Sequence, residues 1–258
     1  MTEKKIKEPA KNETILGIDV GGSGIKAAVV DVVKGEIVGE RLRIETPGDG
    51  KPLAMLECIK KLTEAFKWTG KIGCGFPAAI RNGIVCTAAN IDSSWIGVEI
   101  NKIMTETTGC VSLAVNDADA AGLAEIAFGA GKEIKGTVLM ITIGTGLGTA
   151  LFNAGHLLPN TELGHIEIRG KEAEKRASDA ARKEKDMTLK KWAEKFDEYL
   201  IKMSALFWPE IIILGGGISK KFDRFSHFFN VKTKVAPAKF ENDAGIIGAA
   251  AFARDNCL

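Results

Sequence analysis

The strongest constraint on what this chain can fold into is a local pattern that it uses twice. Ile18-Asp19-Val20-Gly21-Gly22-Ser23-Gly24 and Ile141-Thr142-Ile143-Gly144-Thr145-Gly146-Leu147-Gly148 are each an apolar strand, a glycine-rich turn with a hydroxyl, and the start of another apolar strand. The two copies lie about 125 residues apart, which suits a duplicated domain plan and not a short-period repeat. Both turns run into Val-, Ala- and Leu-rich strands, so they are hairpins. The dinucleotide-binding fingerprint needs a strand-to-helix turn instead, and the P-loop pattern is absent. Glycine lets backbone N–H groups approach an anion without a side chain in the way. Two such hairpins face to face could grip a phosphate chain from both sides, although either alone reads equally well as an ordinary turn. Asp19, at a strand end beside the first turn, could hold a hydrated Mg²⁺ or simply cap the turn.

Alternation and helical spacing supply the surrounding elements. Strands are predicted over Ile15 to Val20, Ile25 to Val33 and Glu36 to Ile44, an opening three-stranded meander. A helix follows over Pro52 to Lys67, with Leu53, Leu56, Ile59, Leu62 and Phe66 at helical spacing. Ile72 to Phe76 and Ser112 to Val115 read as strands, and Asp119 to Phe128 as a helix of small residues. After the second hairpin, Thr188 to Phe207 carries the stripe Leu189, Trp192, Phe196, Tyr199, Leu200, Met203 and Phe207, which serves either the core or an interface. Strand Ile211 to Leu214 runs into Gly215-Gly216-Gly217, and a helix from about Asp243 to Arg254 closes the chain.

Composition narrows the class. With 258 residues, 45% hydrophobic and 26% charged, the chain is an ordinary globular protein of one large or two small domains, which excludes a disordered tail protein. A net charge of +2 argues for neither nucleic acid nor a membrane as partner. The five cysteines are widely spaced with no CxxC, which points away from a disulfide framework and toward a reducing cytoplasm. Lys4, Lys5, Lys7 and Lys11 alternate with acids near the start, so that segment is expected to be a solvated tail and not a signal peptide.

Two further groups carry chemistry. Asn116-Asp117 ends a strand ahead of the small-residue helix, where an Asn-Asp pair could be a helix cap. Glu162 and His165 stand three apart after Pro159-Asn160, a pairing that also invites a metal reading. Glu172, Glu174, Lys175 and Arg176 could be a solvated helix face.

These residues together carry a family resemblance. Leu16-Gly17-Ile18-Asp19-Val20-Gly21-Gly22-Ser23-Gly24-Ile25-Lys26 resembles the first phosphate motif of the hexokinase–actin–heat-shock superfamily. Ile143-Gly144-Thr145-Gly146 resembles the second, and Leu214-Gly215-Gly216-Gly217-Ile218 the nucleoside motif. Asn116-Asp117-Ala118-Asp119-Ala120-Ala121-Gly122 and Glu162-Leu163-Gly164-His165 resemble the sugar kinases of the ROK family. Thr87-Ala88-Ala89-Asn90-Ile91-Asp92, Ser94-Trp95-Ile96-Gly97, Pro159-Asn160-Thr161-Glu162 and Gly170-Lys171-Glu172-Ala173-Glu174 are similar to the branch that phosphorylates glucose from inorganic polyphosphate. The resemblance runs from about Ile15 to Ala251, and the order and spacing of the motifs make it specific.

The resemblance implies an α/β fold of two actin-like, ribonuclease H-like domains with a cleft between them. Expected boundaries are 14–115 for a small N-terminal domain and 116–241 for a large one. Residues 242–258 are expected to form a helix packing back on the small domain. It implies Asp117 as the base for the sugar 6-hydroxyl, with Asn90, Asn116, Asp117, Glu162, His165 and Glu174 binding the sugar. Gly21, Gly22, Ser23, Gly24, Lys26, Gly144, Thr145, Gly146, Gly215, Gly216 and Gly217 would bind phosphate, and Asp19 would hold Mg²⁺ through water. In many ROK proteins the matching histidine binds a structural zinc with cysteines just downstream. Residues 166–182 here contain no cysteine, so no structural zinc is expected. Ala78 stands where many relatives have glycine.

The implied substrates are glucose and polyphosphate or ATP, and relatives are often homodimers. Lys220, Lys221, Arg224, Lys232, Lys234 and Lys239 against Asp223 alone give residues 215–240 a net charge of +5. That run would track a polyanion or be solvated surface. ROK repressors carry an N-terminal DNA-binding domain, for which the roughly fourteen residues before the first strand leave no room.

Overall fold

The computed structural model describes residues 13–256. Most of the lysine-rich opening segment, and Cys257, lie outside the described residues. The first half contains β1 (Thr14–Val20), β2 (Ile25–Asp31), β3 (Glu36–Ile44), α1 (Pro52–Ala65), β4 (Ile72–Phe76), the short β5 (Ile80–Arg81) and β6 (Ile84–Val85), α2 (Ile100–Thr108) and β7 (Ser112–Asn116). Then follow α3 (Asp117–Phe128), β8 (Thr137–Ile143), β9 (Leu147–Asn153), β10 (His156–Leu158), β11 (Glu167–Ile168), β12 (Lys171–Glu172), α4 (Ala173–Ala177) and α5 (Asp179–Glu184). The chain ends with α6 (Leu189–Phe207), β13 (Ile211–Gly215), β14 (Lys234–Pro237) and α7 (Ala244–Asn256).

The repeated motif becomes a repeated sheet. One sheet has the order β3-β2-β1-β4-β7 and the other β10-β9-β8-β13-β14. In each, an antiparallel meander of three strands continues into two strands parallel to the first. Parallel pairing requires crossovers, and these supply the helices: α1 precedes β4, α2 precedes β7 and α6 precedes β13.

Two helices join the halves. Helix α3 is apolar on nearly every face because it is buried nearly all round. Helix α7 lies against α3, β1 and β4. Alanine and glycine permit the close approach: a Cβ at Gly73 would collide with the α7 backbone, and one at Gly248 with that of α3. A single apolar cluster therefore spans both sheets, with Ile15, Ala28 and Val30 from one, Val138, Phe152 and Ile213 from the other, and Ile246 and Ala250 between them.

The stripe on α6 resolves to core. Trp192, Phe196, Tyr199, Leu200 and Met203 are fully buried, and Trp192 stacks on Phe196 with ring centroids 5.1 Å apart. The outer face of the same helix leaves Ile201, Leu206 and Trp208 exposed.

Candidate active site

The three glycine turns lie at the ends of β1, β8 and β13. The apolar runs of β1 and β2 pair as antiparallel neighbours, and Gly21 N–H donates to the Gly24 carbonyl at 3.1 Å to close their turn. Gly22 and Ser23 are exposed at its apex. Asp19 sits at the end of β1 with Lys26 Nζ 3.0 Å from its Oδ2. In the second turn Gly144 N–H donates to the Gly146 carbonyl at 3.1 Å, Thr145 is exposed, and Glu174 lies over Gly146. Gly215 ends β13. Gly216 adopts φ +82° against the backbone of Ile143, a conformation and a closeness that suit only glycine. The third turn thus packs on the strand that leads into the second, and Gly217 opens a short 3₁₀ segment running to Arg224.

Asn116 and Asp117 link these turns to a group of carboxylates. The helix begins at Asp117, two residues earlier than its apolar pattern suggests, because Asn116 caps it. Asn116 Oδ1 accepts from the N–H groups of Ala118 at 2.9 Å and Asp119 at 3.1 Å. Its Nδ2 donates to the Ala78 carbonyl at 3.2 Å, so this amide is the cap that its position allows and also a tie to the first half. Burial pushes the Asp117 carboxyl up to about 7, helped by the negative charges of Asp19 and Glu162 and opposed by the Ala118 N–H. Asp119, wholly buried, is also pushed up to about 7. Burial dominates there, opposed by the Asn160 N–H and reinforced by Asp117 and Glu162.

A second wall is built from Glu162, His165, Glu172 and Glu174. The 3₁₀ turn Leu163–His165 and the β11–β12 hairpin bring them together. His165 Nε2 is 3.9 Å from Glu162 Oε2, and its Nδ1 is 3.5 Å from Glu172 Oε1 and 3.8 Å from Glu174 Oε1. Burial raises the Glu162 carboxyl; His165 lowers it and Glu174 raises it further. Lys175 beside Glu172 holds that carboxyl below its ordinary value. Ligand atoms of His165, Glu172 and Glu174 lie within 4.8 Å of one another. That set has no thiolate and is one short of the four ligands of a structural zinc site. Asn90 is exposed in the loop before Trp95 and has no hydrogen bond to any described residue.

The basic run divides. β14 runs parallel to β13, with Lys234 opposite Ile211, so Lys232 and Lys234 lie at the far end of the strand from Gly215. Lys239 Nζ donates to the Phe128 carbonyl at 3.1 Å, and Lys220 pairs with Glu241 at 2.8 Å. Only Lys220, Lys221 and Arg224 follow directly on the third turn.

Several contributors escaped the sequence reading. Arg43, opposite Lys26 on β3, donates from Nη2 to the Ser23 carbonyl at 2.5 Å, and the Thr46 hydroxyl donates to the Gly21 carbonyl at 2.6 Å. Arg41, two residues along, pairs with Asp243. Arg41, Lys220 and Lys239 line a recess of about 380 Å³ with Glu241 and Asp243. The local signal was available for Arg41 and Arg43: two arginines at strand period on an exposed edge strand of a phosphate hairpin.

Two sheets of the same strand order, with α3 and α7 packed between them, define the actin-like fold of the hexokinases. The ROK family profile matches residues 15–187. The chain belongs to the ROK family. It is 45% identical to the polyphosphate glucokinase of Mycobacterium tuberculosis strain H37Rv over 235 residues, 91% of this chain and 89% of that one. It is 41% identical to the polyphosphate glucokinase of Mycobacterium leprae, over 91% of this chain and 72% of that one. Among solved structures, the inorganic polyphosphate/ATP-glucomannokinase of Arthrobacter sp. strain KM superimposes with a TM-score of 0.89 at 41% identity, covering 92% of this chain and 96% of that one.

Proposed function

We propose that this protein phosphorylates glucose at its 6-hydroxyl, with inorganic polyphosphate as preferred donor and ATP as a second. The observation that carries the reading is the place of Asp117: at the capped start of α3, its carboxyl feels the charges of both Asp19, beside the first glycine hairpin, and Glu162. A group so placed stands where a hydroxyl and a phosphoryl group would meet. The names of the relatives, at 41–45% identity over most of the chain, support the same substrates.

In this reading Glu162, His165 and Glu174 bind sugar hydroxyls, with carboxylates accepting and imidazole donating or accepting. Glu172 faces His165 Nδ1 and leaves Nε2 toward Glu162. Asp117 orients the 6-hydroxyl and takes its proton. A carboxyl near 7 is a better base than one near 4, and general-base help is typically about 10²–10⁴-fold. Phosphoryl transfer has a loose transition state, so holding oxygen and phosphorus in line matters as much as basicity. The turns at Gly21 to Gly24 and Gly144 to Gly146, with Lys26 and the GGG turn, hold the phosphates. Asp19 offers a hard oxygen donor beside them, which fits Mg²⁺ held through water. When bound, Mg²⁺ would neutralise charge on the donor phosphates. No structural zinc is proposed.

Lys220, Lys221 and Arg224, which follow directly on the third turn, support an anionic donor longer than the transferred group. We assign the protein to the cytoplasm on its unpaired cysteines. Among the described residues no helix is long and apolar enough to cross a membrane. No nucleic-acid partner is proposed, on the net charge of +2. A homodimer is proposed through the exposed Ile201, Leu206 and Trp208. The test is glucose 6-phosphate formation with long-chain polyphosphate and with ATP at matched Mg²⁺. Turnover with ATP alone moves the reading to an ATP-dependent hexose kinase, and no turnover with either ends it.

A further inference from the structure

Asn160 is not among the sugar- or phosphate-binding residues named above, yet its side chain spans the two halves of the molecule. Its Oδ1 accepts from the N–H of Ile80 at 2.8 Å, and its Nδ2 donates to the carbonyl of the same residue at 2.9 Å. The amide therefore closes a two-bond ring on the main chain of β5, as a neighbouring strand would. Such a pair tolerates little sliding, because both bonds weaken together when either loop moves.

Both ends of this bridge are anchored. On the first half, the Ala79 N–H donates to Thr87 Oγ1 at 2.9 Å, and Asn116 holds the Ala78 carbonyl. On the second, Thr149 Oγ1 donates to the Thr161 carbonyl at 2.7 Å and Thr161 Oγ1 to the Thr149 carbonyl at 2.9 Å. Leu163 N–H then donates to Thr149 Oγ1 at 3.2 Å. Glu162 lies between those two ties, two residues beyond Asn160. The Asn160 N–H itself donates to Asp119 Oδ2 at 2.8 Å, two residues along α3 from Asp117.

Asp119 adds an independent observation. Its other oxygen, Oδ1, is buried without a hydrogen-bond partner. A buried carboxyl with an orphaned oxygen costs stability, and such groups call for an explanation. Here the group holds the backbone of the bridging residue. Asn160 in turn adopts φ +58°, a left-handed conformation that asparagine tolerates better than most residues. Position, anchoring and conformation all serve the contact with Ile80.

We propose that Asn160 is a positioning residue that fixes the width of the sugar cleft, tying the Glu162 loop to the loop after β4 through its paired bonds to Ile80. The inference rests on the sugar-kinase reading, since it assigns the width to the sugar. Asn160 touches no reacting atom; it acts through Glu162 on one side and residues 78–80 on the other. Its loss releases the two walls from each other while leaving each anchored to its own half.

Asn160→Gly tests this in the full-length chain, because glycine accepts φ +58° without strain. Asn160→Asp is the partner variant: it keeps the acceptor for the Ile80 N–H but sets a carboxylate oxygen against the Ile80 carbonyl. Steady-state kinetics would vary glucose at saturating donor and donor at saturating glucose, with thermal unfolding of each protein alongside. The expected result in both variants is a glucose KM raised about tenfold or more, with donor KM within twofold of the parent. Glucose KM within twofold of the parent in both variants overturns the proposal, whatever happens to the unfolding midpoint. So do equal rises in glucose and donor KM, which mark a general structural fault, and parental kinetics in Asn160→Asp. A parent chain that turns over no glucose fails one step earlier, at the sugar-kinase reading.

Discussion

Replacing Asp117 by asparagine separates the two consequences of burying a carboxylate beside other acids. Its carboxyl is raised from 3.8 to about 7. At about 1.4 kcal/mol per unit, holding the ionised form in the fold costs on the order of 4 kcal/mol, an upper bound. In the unfolded chain Asp117 ionises near 4, while in the fold it keeps its proton until about 7. Stability therefore falls as pH climbs from 4 to 7, and the full cost is present above 7. Asp119 rises to the same range and feels Asp117, so the two titrate as a pair, and the apparent values belong to both. An amide in place of the carboxyl would carry no charge to desolvate. Asp117→Asn is therefore expected to match the parent in denaturant unfolding at pH 4 and to exceed it by a few kcal/mol at pH 8.

Activity moves the other way. The base works only when ionised, so the acidic limb of the parent's kcat/KM is expected near pH 7. In Asp117→Asn, kcat is expected to fall about 10²-fold or more with glucose KM little changed, because an amide still accepts from the hydroxyl. Gain of stability with loss of turnover is the signature of a group strained for function. An acidic limb near pH 4, kcat within about threefold of the parent, or no stability gain at pH 8 would each refute the reasoning.

Other expectations follow from separate parts of the structure. Glu125 is fully buried and accepts from the N–H groups of Ala130, Lys239 and Phe240 at 2.8–3.0 Å; Glu125→Ala should destabilise the protein by about 1–3 kcal/mol in urea unfolding, since three part-buried donors lose their acceptor. Neutralising Lys220, Lys221 and Arg224 together should raise the polyphosphate KM far more than the ATP KM and flatten its salt dependence. Equal changes for both donors would make that surface inert. Chelation should abolish turnover and Mg²⁺ restore it, while elemental analysis of protein purified without added metal should find no stoichiometric zinc.

What the sequence made legible was local. Apolar strand runs, the two glycine hairpins and the cap at Asn116 are written within a few residues, and the structure has each of them. Contacts that depend on how strands lie beside one another were not. The net charge of residues 215–240 counted Lys232 and Lys234 with Lys220, although the parallel pairing of β14 with β13 carries them to opposite ends of the strand. Arg43 reaches Ser23 only because β3 folds back along β2. The stripe on α6 suits core and interface equally well as a pattern; its packing against the second sheet makes it core and leaves Ile201, Leu206 and Trp208 exposed.

Asn160 shows the limit most sharply. Pro159-Asn160 is a loop signal, and a loop is what forms, with the left-handed φ that asparagine permits. The same side chain then meets Ile80, 80 residues away in sequence, and no periodicity reports that meeting. The perturbed acids follow the same logic. Asp19, Asp117 and Glu162 come from different elements, and burial raises Asp117 first, with the charges of Asp19 and Glu162 adding to it. Composition counts such charges, but only topology sums them at a place. The chemistry proposed for this site therefore rests less on the presence of an aspartate after Asn116 than on the two sheets that bring a phosphate turn and a sugar wall to either side of it.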